Sequence, residues 1–229
     1  MAYRSTSPRP SPGRSTRQMM SQFSLHGETI EEVDQFPHLG SIVSKDGGTD
    51  QDIKARIRKA TAALRILHPI WRSRVISCKT KLRIFNTSVK SVLLYACETW
   101  RTTKASTNRL QTFVNRCLRN ILNIRWEDRV SNEDLWQRTG QERIEVQIMR
   151  RKWGWLGHTL RKPASNIARH ALRWNPQGKR RPGRPRNTWR RSTEAEARTI
   201  GLNWTEMETA AKDQWKWRAM VDDLCFSKG

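Results

Sequence analysis

The chain has 229 residues, 36% of them apolar and eleven of them Trp, and its forty-four Lys and Arg against twenty-one Asp and Glu give a formal charge of +23. There is enough apolar material for one or two modest cores, which excludes a wholly disordered basic tail. A surplus of this size is expected to face a polyanion, because a one-sign field repels itself.

Apolar runs are too short for a membrane span and the N-terminus has no hydrophobic signal core, so an intracellular protein without a membrane partner is expected. Cys78, Cys97, Cys117 and Cys225 are far apart, with no CxxC and no His at ligand spacing. No metal site is expected from them, and Cys97 and Cys117 read as small buried residues on helices.

Residues 1–21 are rich in Ser, Pro and Arg without periodicity, the composition of a disordered leader. Residues 22–49 begin with Phe23 to Leu25 and Thr29 to Val33, which alternate like two short strands about a turn at Gly27; Phe36 to Ser41 reads as a following loop. From Asp50 the period changes. Ile53, Ile57, Ala60, Leu64 and Leu67 predict a helix that starts after Gly47-Gly48-Thr49 and stops at Pro69. A second helix starts near Cys78, with Leu82, Phe85, Val89, Val92, Leu93 and Ala96 on one stripe. A third carries Leu110, Phe113, Val114, Cys117, Leu118 and Ile121. Residues 50–125 are therefore expected to form a three-helix bundle.

In residues 126–229 a short helix over Asn132 to Arg138, stopped by Gly140, precedes one from Gln141 to about Leu160, and a Trp-rich helix is expected over Thr205 to Leu224. The fold class is mainly α: a short β-hairpin, a helical bundle, then a second, basic helical region. No internal repeat of fixed period occurs.

The second region holds the chain's most distinctive block. Between Glu145 and Glu194 there is no acid but there are fourteen Lys and Arg. Candidate phosphate contacts are Arg150, Arg151, Lys152, Arg161, Lys179, Arg180, Arg181, Arg184, Arg186, Arg190 and Arg191, with Trp189 among them as a surface for stacking bases. The stretch Gly178-Lys179-Arg180-Arg181-Pro182-Gly183-Arg184-Pro185-Arg186 cannot be helical, so its guanidinium groups splay along an extended segment suited to an A·T-rich minor groove or to RNA phosphates. Gly-Arg-Pro resembles the core of AT-hook peptides. The same composition suits a nuclear-localisation patch, and a nuclear location is expected. Trp71, Trp100 and Trp126 follow apolar stripes and read as core.

Two segments carry a resemblance. Gly27 to Ser41, containing Phe36-Pro37-His38-Leu39-Gly40, is one. The other runs from Lys81 through Leu93-Leu94-Tyr95-Ala96-Cys97-Glu98-Thr99-Trp100, Arg125-Trp126, Ser131-Asn132, Trp155-Leu156-Gly157-His158 and Arg161 to Gly183-Arg184-Pro185-Arg186-Asn187-Thr188-Trp189. In order and spacing these resemble the C-terminal region of reverse transcriptases of non-LTR (LINE-type) retrotransposons related to the RTE lineage. Pro37-His38 stands where the family usually has an aromatic before Leu-Gly.

The resemblance implies that Phe36, Leu39 and Gly40 belong to a primer-grip-like segment, that residues 42–125 are like the thumb lying along a template–primer duplex of RNA or DNA, and that the rest is the post-polymerase region. It implies too that the palm carboxylates and any endonuclease lie upstream. The chain on its own is then expected to be a catalytically incomplete fragment with no cofactor, Mg²⁺ belonging to a complete parent polymerase. An active RNA-directed DNA polymerase with its palm upstream and a domesticated protein-interaction module are the alternatives, and sequence leaves the oligomeric state open.

No catalytic residue is assigned. Asp222-Asp223 imitates a two-metal carboxylate pair but sits on a helix near the chain end without a third carboxylate. His158 has no nucleophile or acid near it in sequence and reads as structural.

Overall fold

The computed structural model describes residues 23–25, 28–174 and 187–226. The leader at 1–21 and the Lys179–Arg186 stretch lie outside the described residues. Strand β1 (Phe23–Leu25) pairs antiparallel with β2 (Glu28–Ile30), Phe23 opposite Ile30. Residues from Gln35 onward form a separate, almost wholly helical unit.

This unit opens with β3 (Gln35–His38) paired to β4 (Ser41–Ser44), Phe36 opposite Val43. The expected loop over Phe36 to Ser41 is thus a hairpin. Its two-residue turn is Leu39-Gly40, with φ of +47° and +82°. Positive φ at both positions matches the twist of a tight hairpin, but the usual Asn-Gly or Asp-Gly signal is missing, and Leu accepts this conformation only under strain. Three bonds tie the hairpin to α1 (Asp50–Ile66): Asp52 Oδ1 accepts from the Ile42 amide at 3.0 Å, Arg56 donates to Ser41 Oγ at 2.8 Å, and Lys59 donates to the Gly40 carbonyl at 2.9 Å.

In α1 the acids Asp50 and Asp52 occupy the first turn and Arg65 the last, an arrangement the helix dipole favours. The helix ends at Ile66, just before Pro69 as expected. Pro69 itself sits in the first turn of α2 (His68–Arg72), where its missing N–H costs nothing. Ser77 caps α3 (Cys78–Ile84) by accepting from the Thr80 amide, and the helix continues through a π-helical turn (Phe85–Lys90) into α4 (Ser91–Leu93). That continuation keeps Phe85, Val89 and Leu93 fully buried at four-residue spacing. A reciprocal Thr103–Ser106 cap starts α5 (Lys104–Ile121), which buries Leu110, Val114, Cys117, Leu118 and Ile121.

Trp71 and Trp100 are buried, as their stripes predict. Trp126 is 87% exposed, in a 3₁₀ turn (Trp126–Asp128) past the end of α5 where the helical stripe no longer applies. Next come α6 (Asn132–Thr139), ended by Gly140 at φ +57°, and α7 (Ile144–Leu160). Three helices follow: α8 (Ile167–Arg173), α9 (Trp189–Thr199) and α10 (Trp204–Ala210). The last is α11 (Gln214–Phe226). The single Trp-rich helix expected over Thr205 to Leu224 is therefore two. Asp213 makes the break, its Oδ1 accepting from the Trp215 and Lys216 amides and so starting a new helix.

Two cores result. The first gathers α1, α3, the π turn, α4, α5, Leu135, Ile144 and Ile148. The second gathers Val146, Met149, Trp153 and Leu156 with Leu172, Ala197, Met207, Trp217 and Leu224. Helix α7 serves both, presenting Ile144 and Ile148 to one and the intervening faces to the other. At Gly157 of α7 the indole of Trp217 lies directly on the backbone. A Cβ there would stand 2.6 Å from Trp217 Cδ1 and Cε2, and nearer still to Nε1. The Trp155-Leu156-Gly157-His158 motif is thereby explained as a close-packing site between α7 and α11.

Candidate nucleic-acid interface

Asp52, buried near the start of α1, is the hub from which the candidate surfaces are positioned. One carboxylate oxygen accepts from Ile42 in the hairpin and the other from the Trp100 indole at 2.8 Å, while Arg56 lies 3.7 Å away. Arg56 also stacks over the Tyr95 ring at 4.4 Å. Ala96, at φ +60°, turns the chain between Tyr95 and the short helix Cys97–Thr99. The Leu93–Trp100 motif is therefore a structural joint. On its far side Arg151 donates to the Leu94 carbonyl at 3.1 Å, Trp189 to the Glu98 carbonyl at 2.8 Å and Arg101 to the Asn187 carbonyl at 2.9 Å. Both cores are clasped at this turn.

The described members of the second basic block meet partners that the sequence interval hides. Arg150 pairs with Glu142, which holds its guanidinium above its ordinary pKa, and lies 3.7 Å from Asp222. Lys152 is buried, donating to Glu196 Oε1 at 2.7 Å, and Trp153 donates to the other oxygen of the same carboxylate at 2.7 Å. Arg161 donates to the Ala211 carbonyl at 3.1 Å, and Arg190 pairs with Glu194 at 3.0 Å while stacking over Trp204 at 5.1 Å. The exposed Arg173 pairs with the half-buried Glu208; their hydrogen bond raises the pKa of Arg173 and, for the same reason first, lowers that of Glu208. Arg151 and Arg191 are exposed on α7 and α9. Trp189 is half-buried, fixed by the Glu98 carbonyl and packed edge-on to Trp155. Lys179, Arg180, Arg181, Arg184 and Arg186 lie outside the described residues.

The structure also draws attention to a block that the sequence reading passed over. No acid occurs between Asp52 and Glu98, whereas eleven Lys and Arg do. Lys54, Arg58, Arg65, Arg72, Arg74, Lys79 and Arg83 are all exposed, and among the described residues none of them has a carboxylate partner. Lys54, Arg58 and Arg65 fall within about 40° of one another on α1 at 100° per residue, which makes a cationic stripe. Lys79 and Arg83, four apart on α3, make a second pair.

Residues 49–140 hold nineteen Lys and Arg against seven acids. The described residues from 141 onward hold fourteen against nine. The signal is already in the sequence, since residues 53–97 lack acids just as residues 146–193 do.

Of the primer-grip-like residues, Phe36 and Leu39 are exposed and Gly40 is the second turn position. Val43 is also exposed, opposite Phe36. The Phe36 and His38 rings lie 5.8 Å apart, so the hairpin shows an apolar, partly aromatic surface.

Asp222 and Asp223 are exposed on α11, with Arg150 as the nearby cation. Among the described residues no three His, Cys, Asp or Glu side chains come together as metal ligands, and no helix is long and apolar enough to cross a membrane. His158 is exposed on α7. Burial pushes the Cys97 and Cys117 thiols up to about 12 and raises that of Cys225, while Cys78 is exposed.

Residues 63–95, the centre of the newly recognised cationic block, match the model of a family described as a domain of unknown function, DUF6451. No solved structure matches the chain. Over 201 residues it is 26% identical to an uncharacterized transposon-derived protein of Caenorhabditis elegans, an alignment that covers 84% of this chain and 71% of that one and relates the chain to transposon-derived sequences.

Proposed function

We propose that the chain is a nucleic-acid-binding module of transposon-related origin, equivalent to the thumb and post-polymerase region of a LINE-type reverse transcriptase, with no polymerase chemistry of its own. The observation that carries this reading is the set of seven exposed cations on and between α1 and α3 without a carboxylate partner among the described residues. Seven charges that the protein leaves uncompensated repel one another, and phosphates relieve that repulsion when they displace condensed counterions. The hairpin's exposed Phe36 and Leu39 suit contact with a nucleic-acid end. The ligand is RNA or DNA, a template–primer duplex being the form the thumb reading favours, and a nuclear location accords with it. Asp222 and Asp223, exposed and beside Arg150, support the absence of a two-metal centre.

The test is fluorescence anisotropy on a duplex at several salt concentrations, comparing the full chain with K54A/R58A/R65A. Each phosphate contact contributes about 0.9 to the slope of log affinity against log salt. The triple variant should therefore bind every sequence more weakly and lose roughly 2.7 from that slope. An unchanged slope refutes the assignment of the α1 stripe. Affinity indifferent to salt in the unaltered protein refutes nucleic-acid binding altogether and leaves a protein-interaction module.

A further inference from the structure

On the outer side of α5, away from the face that buries Leu110, Val114 and Leu118, a cleft of about 550 Å³ runs to the start of α6. Thr112, Asn115, Arg116, Arg119, Asn120 and Asn132 line it, and no described acid does. Groups that can only donate fix how its amides are turned. The Ile144 N–H donates to Gln111 Oε1 at 2.7 Å, so Gln111 gives its Nε2 to Asn115 Oδ1 at 2.8 Å, and the Trp136 indole donates to that same oxygen at 2.9 Å. Asn115 then offers Nδ2 to Asn132 Oδ1 at 2.9 Å, where Arg119 also donates at 3.0 Å while reaching the Val130 carbonyl at 3.2 Å. Neither an indole nor a guanidinium can accept. Both Asn oxygens are thereby filled twice over. The second hydrogen of Asn115 Nδ2, the Asn132 amide nitrogen and the Nε and Nη1 groups of Arg119 have no acceptor among the described residues. Arg116 is exposed and, like Arg119, has no carboxylate partner among them.

We infer that this cleft is a site for one phosphate group of a nucleic-acid strand, which rests on the nucleic-acid reading above. A wall whose acceptors are consumed and whose donors are left over selects a ligand that only accepts, and a phosphodiester is such a ligand, with two charged oxygens and no hydrogen to give. A guanidinium already held by the Val130 carbonyl and Asn132 loses little freedom when it meets those oxygens, and that preorganisation favours the contact. Asn115 is 6% exposed, so its spare hydrogen gains from an acceptor that enters the cleft. Charge argues for a strand over the lone carboxylate of a protein side chain. Residues 99–126 carry six Lys and Arg and no acid, and among the described residues Arg109 alone of the six meets a carboxylate, Asp50 at 3.6 Å. Such surroundings suit an anion that repeats along a chain.

The experiment uses the full chain and two changes that add the same charge to α6. Asn132→Asp keeps the oxygen that Asn115 and Arg119 bind and suits the first turn of a helix, so the fold stands, but it replaces the amide donor with a second negative oxygen. Gln137→Glu, exposed on the same helix outside the cleft, is the control. By anisotropy on a duplex over a salt series, Asn132→Asp should bind about tenfold more weakly than Gln137→Glu, the order of one charge-assisted hydrogen bond. Arg116→Ala should remove about 0.9 from the salt slope. Equal affinities of the two α6 variants overturn the cleft alone when the unaltered chain binds with a steep salt slope, and so does an unchanged slope in Arg116→Ala. Binding indifferent to salt in the unaltered chain defeats the nucleic-acid reading and the cleft with it. Melting temperatures in inorganic phosphate against chloride at equal ionic strength separate the sources of the phosphate group. If phosphate stabilises Gln137→Glu more than Asn132→Asp while their duplex affinities are equal, the cleft serves a free phosphate compound and the strand assignment is overturned.

Discussion

Gly157→Ala is the sharpest test of the packing that joins α7 to α11. The added Cβ would lie 2.6 Å from two carbons of the Trp217 ring, and the ring cannot step aside freely. Trp217 is 2% exposed, its Nε1 donates to the Trp153 carbonyl at 2.9 Å, and its ring centroid lies 5.6 Å from that of Trp153. Overpacking of this kind costs about 1–3 kcal/mol, and a displaced indole that abandons a buried carbonyl costs about 1–3 kcal/mol more. Against this, replacing a mid-helix Gly by Ala returns up to about 1 kcal/mol. The net expectation is destabilisation by about 2–4 kcal/mol.

Gly154, one turn earlier on the same helix, supplies the control: a Cβ there meets nothing within 4 Å. Gly154→Ala should stabilise by about 0.5–1 kcal/mol through backbone entropy. Urea unfolding followed by tryptophan fluorescence and by helical circular dichroism measures both. Equal stability of the two variants would refute the reasoning, because it would mean that Trp217 does not lie on Gly157.

Two further outcomes are expected. Burial first, and the Arg151 charge second, lower the Lys90 pKa from 10.5 to about 8, so between pH 8 and 10.5 the unfolded chain holds the proton that the folded chain has released. Stability should rise with pH across that window, and Lys90→Met should flatten the rise and stabilise the protein at pH 7 by about 1–2 kcal/mol, the gain being reduced because Gln141 loses its donor; a steeper rise in the variant would contradict this. With three thiols buried and Cys78 exposed, a thiol reagent at pH 8 should modify one cysteine quickly in the native chain and four in denaturant, and two or more fast thiols would show that the Cys97 or Cys117 core opens.

What the sequence made legible was set by local physics. Helical periodicity located α1, α3 and α5 because one face of each is continuously apolar, and Gly140 marked the end of α6 because only a positive φ fits there. Leu39-Gly40 hid a hairpin because its turn uses a residue that rarely adopts that conformation. Thr205 to Leu224 looked like one helix because the break depends on a single Asp213 side chain capping two amides. The hub was illegible for a different reason. Asp52 and Trp100 are forty-eight residues apart, and nothing near either one indicates that a buried carboxylate has an indole to satisfy it.

Charge read along the chain and charge read in space gave different answers. Lys152 finds Glu196 forty-four residues away and Arg173 finds Glu208 thirty-five away, so the interval from 146 to 193 is acid-free only in sequence. The buried Lys152 must be paired, since an isolated ammonium at that depth would be expensive. Its partner therefore follows from burial and says nothing of a ligand. The cations on α1 and α3 are under no such constraint. They are exposed, water screens them, and leaving them unpaired costs the fold little. A helix face can keep such charges only where solvent or a ligand covers it. Recognition of a polyanion is thus best sought on the surface where the protein itself has left the charge unanswered, at Lys54, Arg58 and Arg65.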